Sequence, residues 1–186
     1  MPASPTVTIA PARLPEDIGS VRQLFTEYVD SLGVDLSFQN VATELAQLPG
    51  KYAPPGGVIL LARDSAGATP GCVALRPWPQ PGVCEIKRLY VRPAARGQAL
   101  GRQLAEAAIA WAARAGYACM LLDTLASMAA ARQLYVALGF HPVAPYYDNP
   151  LPGTLYMALD IDPQVAQAAR NAAGVMPNVR ANSRLR

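Results

Sequence analysis

The sequence is poor in the residues that most catalytic centres draw on. Histidine occurs once, at His141. Its place between Gly139-Phe140 and Pro142 reads as a strand-end packing residue rather than a base. Cysteine occurs three times, at Cys72, Cys84 and Cys119, each inside an apolar strand-like run and none with CxxC spacing. That excludes a disulfide framework and a zinc site, and no metal is expected. No apolar run approaches the ~20 residues that span a bilayer. The opening M-P-A-S-P-T-V-T has neither a basic region nor an apolar stretch, so the expectation is a cytoplasmic protein with no membrane partner.

Charge is scarce and unevenly placed. Charged residues make up 16% of the chain, and no acidic residue follows Asp162. Residues 1–162 hold 12 basic and 13 acidic residues, a net of −1. The excess positive charge therefore lies in a tail with Arg170, Arg180, Arg184 and Arg186. A near-neutral body with a basic tail argues against nucleic acid as the partner. The tail, 162–186, reads as a partly disordered end.

What is present is a globular core. The chain has 186 residues, 52% of them apolar, enough for one domain. Residues 6–10 alternate like a strand. Asp17 can cap a helix whose apolar positions are Ile18, Val21, Leu24, Phe25, Tyr28 and Leu32. A second helix is expected from Val41 to Leu48, ended by the turn at Pro54-Pro55-Gly56-Gly57. Strands follow at Val58–Ala62, Cys72–Leu75 and Val83–Val91. A helix from about Leu100 to Ala115 ends at Gly116. Ala118–Leu122 is an apolar strand, and Asp123 after it could reach a cleft but reads rather as a turn cap with Thr124. Ser127 can cap a helix that Gly139 stops. A proline-rich loop, 142–152, leads to a strand at Thr154–Leu159. The order β-α-α-β-β-β-α-β-α-β-β implies an α/β layer with a mixed sheet.

One segment carries chemistry. Within Lys87 to Arg102 stand five cations, Lys87, Arg88, Arg92, Arg96 and Arg102, and no anion. Here a strand gives way to a loop with Gly97 and then to a helix beginning near Gly101. A helix N-terminus offers unpaired N–H groups and a positive dipole end, and glycine lets a ligand approach the backbone. Together these predict a phosphate or pyrophosphate site. It is not a P-loop, since Gly101 is followed by Arg102-Gln103. Gly97 and Gly101 do not fit the dinucleotide fingerprint.

The run R-G-Q-A-L-G from Arg96 to Gly101 resembles the pyrophosphate loop of the GNAT superfamily of N-acetyltransferases, written [Q/R]-x-x-G-x-[G/A], with Ala99 in place of the middle glycine. The preceding R-L-Y-V-R-P, Arg88 to Pro93, is similar to the family's strand ahead of that loop. A-R-Q-L-Y-V-A-L-G-F, Ala131 to Phe140, resembles its A-x-x-L-Y-x-x-x-G-F helix. Met128 stands where the family often has an asparagine that contacts CoA. P-Y-Y-D-N-P-L-P-G-T, Pro145 to Thr154, resembles a bacterial subgroup. The resemblance covers 7–161 as one GNAT domain. It implies a mixed, mostly antiparallel twisted sheet of six to seven strands flanked by about four helices.

The resemblance also implies a reaction, the direct transfer of acetyl from acetyl-CoA to a primary amine on a small molecule or peptide. It admits a homodimer. Leu89, Tyr90 and Val91 would hold the pantetheine and the developing oxyanion. The backbone of Arg96, Gly97, Gln98, Ala99, Leu100, Gly101 and Arg102 would anchor the pyrophosphate. Tyr135 matches the tyrosine that protonates the leaving thiolate, though a tyrosine beside Leu134 could equally be core. Glu85, the one carboxylate in its strand, is the candidate base, with a salt bridge to Lys87 or Arg88 as the alternative. Tyr146, Tyr147 and Asp148 would rim the acceptor site. A catalytically silent CoA-binding module is the competing function.

Overall fold

In the computed structural model, residues 7–161 are described. Seven strands form one sheet: β1 (Thr8–Pro11), β2 (Val58–Arg63), β3 (Gly71–Pro77), β4 (Val83–Val91), β5 (Cys119–Thr124), β6 (His141–Val143) and β7 (Leu155–Asp160). Their order across the sheet is β1-β2-β3-β4-β5-β7-β6. All neighbours run antiparallel except β4 and β5, which are parallel. The four α-helices are α1 (Ile18–Leu32), α2 (Val41–Ala46), α3 (Leu100–Arg114) and α4 (Ala129–Ala137). The element order matches the sequence expectation. The basic tail, 162–186, lies outside the described residues.

Alternation along the buried strands divides the core in two. Val58, Leu60, Val73, Leu75, Cys84 and Ile86 pack against Leu100, Leu104, Ala108 and Ala112 of α3, with Tyr135 of α4. Ile59, Leu61, Cys72, Ala74 and Tyr90 point the other way and pack against Val21, Leu24 and Phe25 of α1. The spacing of three and four in each helix provides the matching apolar face. All three cysteines are buried thiols outside any disulfide. No helix among the described residues is long and apolar enough to cross a membrane.

Two expected helix caps are not formed. Asp17 occupies the N-cap position of α1, but its side chain caps nothing. It turns back instead, accepting the Arg13 backbone N–H at 2.7 Å and pairing with the Arg13 and Arg63 guanidinium groups. Burial works against its charge, yet the two arginines prevail and hold its pKa at about 2. Two cations outbid the helix N–H groups. Helix α4 begins after Met128, and Ser127 lies one residue too early to cap it.

Candidate active site

The ladder between β4 and β5 is short. It joins Val83 to Cys119, Cys84 to Met120 and Glu85 to Leu121, and ends there. β4 continues to Val91 and β5 to Thr124, so the strands part beyond Glu85. A bulge bends β4 at this place. Ala74 of β3 faces Lys87 and Cys72 faces Tyr90, so Val73 alone spans Arg88 and Leu89. Arg88 lies at φ 57°, a left-handed conformation rare outside glycine. The Cys72 thiol donates to the Arg88 carbonyl oxygen at 3.4 Å and pins the bulge.

A cavity of about 60 Å³ lies where the strands part, and its walls come from both faces of the sheet. Tyr28 and Gln39 line it on the α1 side, Arg88 and Leu89 on β4, Asp123 on β5, and Tyr135 on α4. Tyr135 is buried, with its ring edge-on to Phe140 at 5.4 Å. Its ring packs in the core, and its hydroxyl makes no hydrogen bond among the described residues. Burial raises its pKa, so the phenol keeps its proton. Leu89 and Val91 pack toward α3 and α4, while Tyr90 packs toward α1.

The loop after β4 leads into α3 with backbone N–H groups left unpaired. The first hydrogen bond closing α3 runs from Gln103 N–H to Ala99 O at 3.0 Å. The N–H groups of Leu100, Gly101 and Arg102 stand ahead of it with no helical carbonyl. Gly97, Gln98 and Ala99 are exposed beside them. Gly97 and Ala99 both have positive φ, 78° and 56°. Ala99 thus holds the conformation that favours the glycine of the motif.

The five cations do not form one cluster. Lys87 pairs with Asp123 at 2.6 Å, Arg88 with Glu44 at 2.8 Å, Arg92 with Glu27 at 2.8 Å and Arg102 with Glu106 at 3.1 Å. Arg96 donates to the Val91 carbonyl at 3.0 Å. The strand sends Lys87 and Arg88 toward the α1 face, and their carboxylate partners lie far away in sequence. The donors this loop exposes are therefore backbone N–H groups, with Arg96 and Arg102 nearby.

A polar network occupies the α1 face at the closed end of the cleft. Glu85 is fully buried. Its Oε2 accepts from Arg76 Nε at 2.6 Å and its Oε1 from the Tyr146 hydroxyl at 2.9 Å. Lys87 Nζ lies 3.7 Å from Glu85 and bonds Asp123. The expected salt bridge to Lys87 is thus the longer of two, and Arg76 is the near partner. Asp123 accepts from the Tyr147 hydroxyl at 2.9 Å. Burial opposes its ionisation, but Lys87 holds its pKa below the usual carboxylate value. Asp123 is a strand residue in this network, not the turn cap the sequence suggested. Tyr146 stacks edge-on to Trp78 at 4.9 Å, and burial together with Glu85 raises its pKa. Asp148, farther along the loop, is exposed. No group of three or more metal-binding side chains is found among the described residues.

Sequence reasoning missed Arg76 and Gln39 as members of the site, preferred a turn cap to a cleft position for Asp123, and assigned Lys87 and Arg88 to the cation-rich segment. One signal was available. Glu85 and Lys87 are charged residues two apart in an otherwise apolar strand, which places both on one face.

Comparison with known proteins agrees with this geometry. Residues 21–140 match the acetyltransferase (GNAT) family. An uncharacterized N-acetyltransferase of Schizosaccharomyces pombe is 45% identical over 83% of this chain and 95% of its own length. The IAA acetyltransferase of Azospirillum brasilense is 37% identical over 79% of this chain and 94% of its own. The similarity is therefore not confined to bacteria. An acetyltransferase structure from Salmonella typhimurium, solved with its cofactor acetyl-CoA, superposes with a TM-score of 0.62 at 23% identity. That match covers 84% of this chain and 95% of the other, and it shows the shared fold.

Proposed function

The chain belongs to the GNAT family of acetyltransferases, and on that premise we propose that its parted strands bring acetyl-CoA and a primary amine together from opposite faces of the sheet. It is an acetyl-CoA-dependent N-acetyltransferase, as its relatives are, rather than a silent CoA-binding module. The observation that carries the placement is the ladder that stops at Glu85 and Leu121. It opens a passage through the sheet with an anion-binding loop at one end.

Bound acetyl-CoA supplies an activated acyl group as a thioester. The chain's own residues do the rest. The N–H groups of residues 97–102 hold the pyrophosphate. The β4 edge at Leu89, Tyr90 and Val91, freed of β5, offers backbone donors to the pantetheine and the acyl oxygen. Tyr135 keeps its proton at neutral pH and gives it to the departing sulfur.

The amine must lose a proton before it can attack. Glu85 is the proposed acceptor of that proton. Both its oxygens are engaged, so the proton reaches it by relay through the Tyr146 hydroxyl, which already donates to Oε1. Asp123, Lys87 and Tyr147 form the adjoining wall, and Tyr146, Tyr147 and Asp148 border the acceptor's approach. The acceptor is an amine-bearing small molecule or peptide. The direct test is release of free CoA thiol from acetyl-CoA over a panel of amines. Release with at least one amine, lowered in Glu85→Gln most strongly at low pH, supports the reading. Absence of release with every amine would overturn it.

A further inference from the structure

The α1 face of the cleft contains a charge that the protein does not finish satisfying. Arg88 is buried, with 4% of its surface exposed. Its Nε donates to Glu44 Oε1 at 2.8 Å and its Nη1 to Gln39 Oε1 at 3.3 Å. Its guanidinium lies 5.7 Å from the Tyr28 ring centroid. Nη2 is buried and has no hydrogen-bond partner among the described residues. Desolvating a guanidinium N–H without an acceptor is unfavourable. Such a group persists where something else completes it. Arg88 and Gln39 both line the cavity between the strands, so the residue with the unfilled donor is part of that cavity's wall.

The charge count points the same way. Four cations gather on this face: Lys51, Arg76, Lys87 and Arg88. They are matched by three carboxylates, Glu44, Glu85 and Asp123. Lys51 and Arg88 share Glu44, through Oε2 at 2.9 Å and Oε1 at 2.8 Å. Within this ion-paired set one positive charge is left over, and Arg88, which shares its carboxylate with Lys51, is the member with an unfilled donor; the exposed Asp148 lies outside the set. A bare amine or polyamine would add positive charge to this surplus. A molecule with its own carboxylate would neutralise it, and guanidinium suits a planar carboxylate best.

The bulge explains how the arginine comes to be there. In a regular strand Arg88 would alternate away from Lys87 and point toward α3 and α4. The left-handed turn at Arg88 brings it onto the acceptor face instead. There Glu44, from α2, fixes the head group.

We propose that the acceptor is an amine that also carries a carboxylate, as an amino acid does, and that Arg88 Nη2 binds that carboxylate with Gln39 beside it. The proposal rests on the acetyl-transfer reading only in placing the acceptor on this face. The carboxylate fixes the acceptor's orientation and leaves its amine directed at the parting of the strands. Arg88 is a specificity residue and takes no part in the bond changes.

The test uses matched acceptor pairs with the wild-type protein: an amino acid against its amide, and against the amine left when the carboxyl group is absent. The readouts are kcat/KM from CoA thiol release, and acceptor binding by calorimetry in the presence of CoA. The expected result is a preference of ~10–100-fold for the carboxylate member, the size of a hydrogen-bonded charge contact. In Arg88→Lys the ratio within each pair should fall toward one. Equal use of both members, or preference for the amide or bare amine, would overturn the proposal while leaving acetyl transfer standing. If no amine releases thiol, the transfer reading fails, and calorimetry still decides the carboxylate site. A parallel loss of both members in Arg88→Lys, with an unchanged ratio, would assign Nη2 to the thioester instead and refute the carboxylate role. Should Arg88→Lys not fold, the wild-type pairs decide alone.

Discussion

Replacing Ala99 with glycine should make the protein more stable, although it removes a methyl group and adds nothing. Ala99 precedes α3 at φ 56° and ψ 11°. A residue with a Cβ pays about 1–2 kcal/mol to hold that left-handed conformation. Glycine does not, but its freer unfolded chain takes back ~0.4–1 kcal/mol. Ala99 is exposed, so the methyl group contributes little packing to lose. The net expectation is a gain of ~0.5–1 kcal/mol, which for a chain of this length raises the melting temperature by ~1–4 °C. Gly97 is the control. It lies at φ 78°, and a Cβ built there meets no atom within 4 Å. Gly97→Ala should therefore destabilise by about 1 kcal/mol through backbone conformation alone. Thermal denaturation of the three proteins without ligand measures both. A melting temperature that falls in Ala99→Gly, or rises in Gly97→Ala, would refute the claim that backbone strain governs this loop.

Three further outcomes are expected. Gly101→Val should fold, since a Cβ there meets only Val91 Cγ2 at 3.8 Å and Leu134 Cδ2 at 4.0 Å, while its branches crowd the N–H groups and weaken CoA binding in calorimetry; an unchanged dissociation constant would place the phosphates elsewhere. Tyr135→Phe should lower turnover by ~10²–10⁴-fold with little change in CoA affinity, whereas normal turnover with a lowered melting point would leave Tyr135 as packing only. Asp17, held at about 2 against an ordinary 3.8, binds fewer protons folded than unfolded, so its stabilisation is complete above pH 3.8 and disappears as pH falls through 2. The unscreened value is about 2 kcal/mol, and because Arg13 is 70% exposed we expect ~1 kcal/mol. The stability difference between wild type and Asp17→Asn should shrink accordingly in denaturation titrations from pH 7 to pH 2.

The fold was legible because its punctuation is local. Gly116 and Gly139 stop helices at φ 84° and 94°, and the unbroken apolar run 58–62 encodes a strand buried on both faces. The strand-to-helix loop at 92–99 was legible for the same reason, since a strand, two glycines and a helix start lie in one short run. Its charges were misread because ion pairing is not local. Lys87 finds Asp123 and Arg88 finds Glu44 at separations of 36 and 44 residues, and a sequence read segment by segment shows only unopposed cations. The caps failed similarly. Asp17 is a good N-cap by type, but Arg63 comes from a different strand to claim it. The bulge at Arg88 has no glycine to announce it, so the face that Arg88 occupies could not be assigned from strand periodicity.

The extra residue in β4 also works as a change of parity. Before it, the even-numbered Cys84 and Ile86 look toward α3 and α4; after it, the odd-numbered Leu89 and Val91 do. The chain is thus written in two phases, joined at one residue. Lengthening the turns at 64–70 or 78–82 would leave both phases intact. Deleting Arg88 would remove the bulge and restore simple alternation, with Leu89 and Val91 still toward α3 and Tyr90 still toward α1. Descendants of this sequence can therefore lose the bulge whole without turning over the rest of the strand, and what goes with it is the guanidinium on the α1 face.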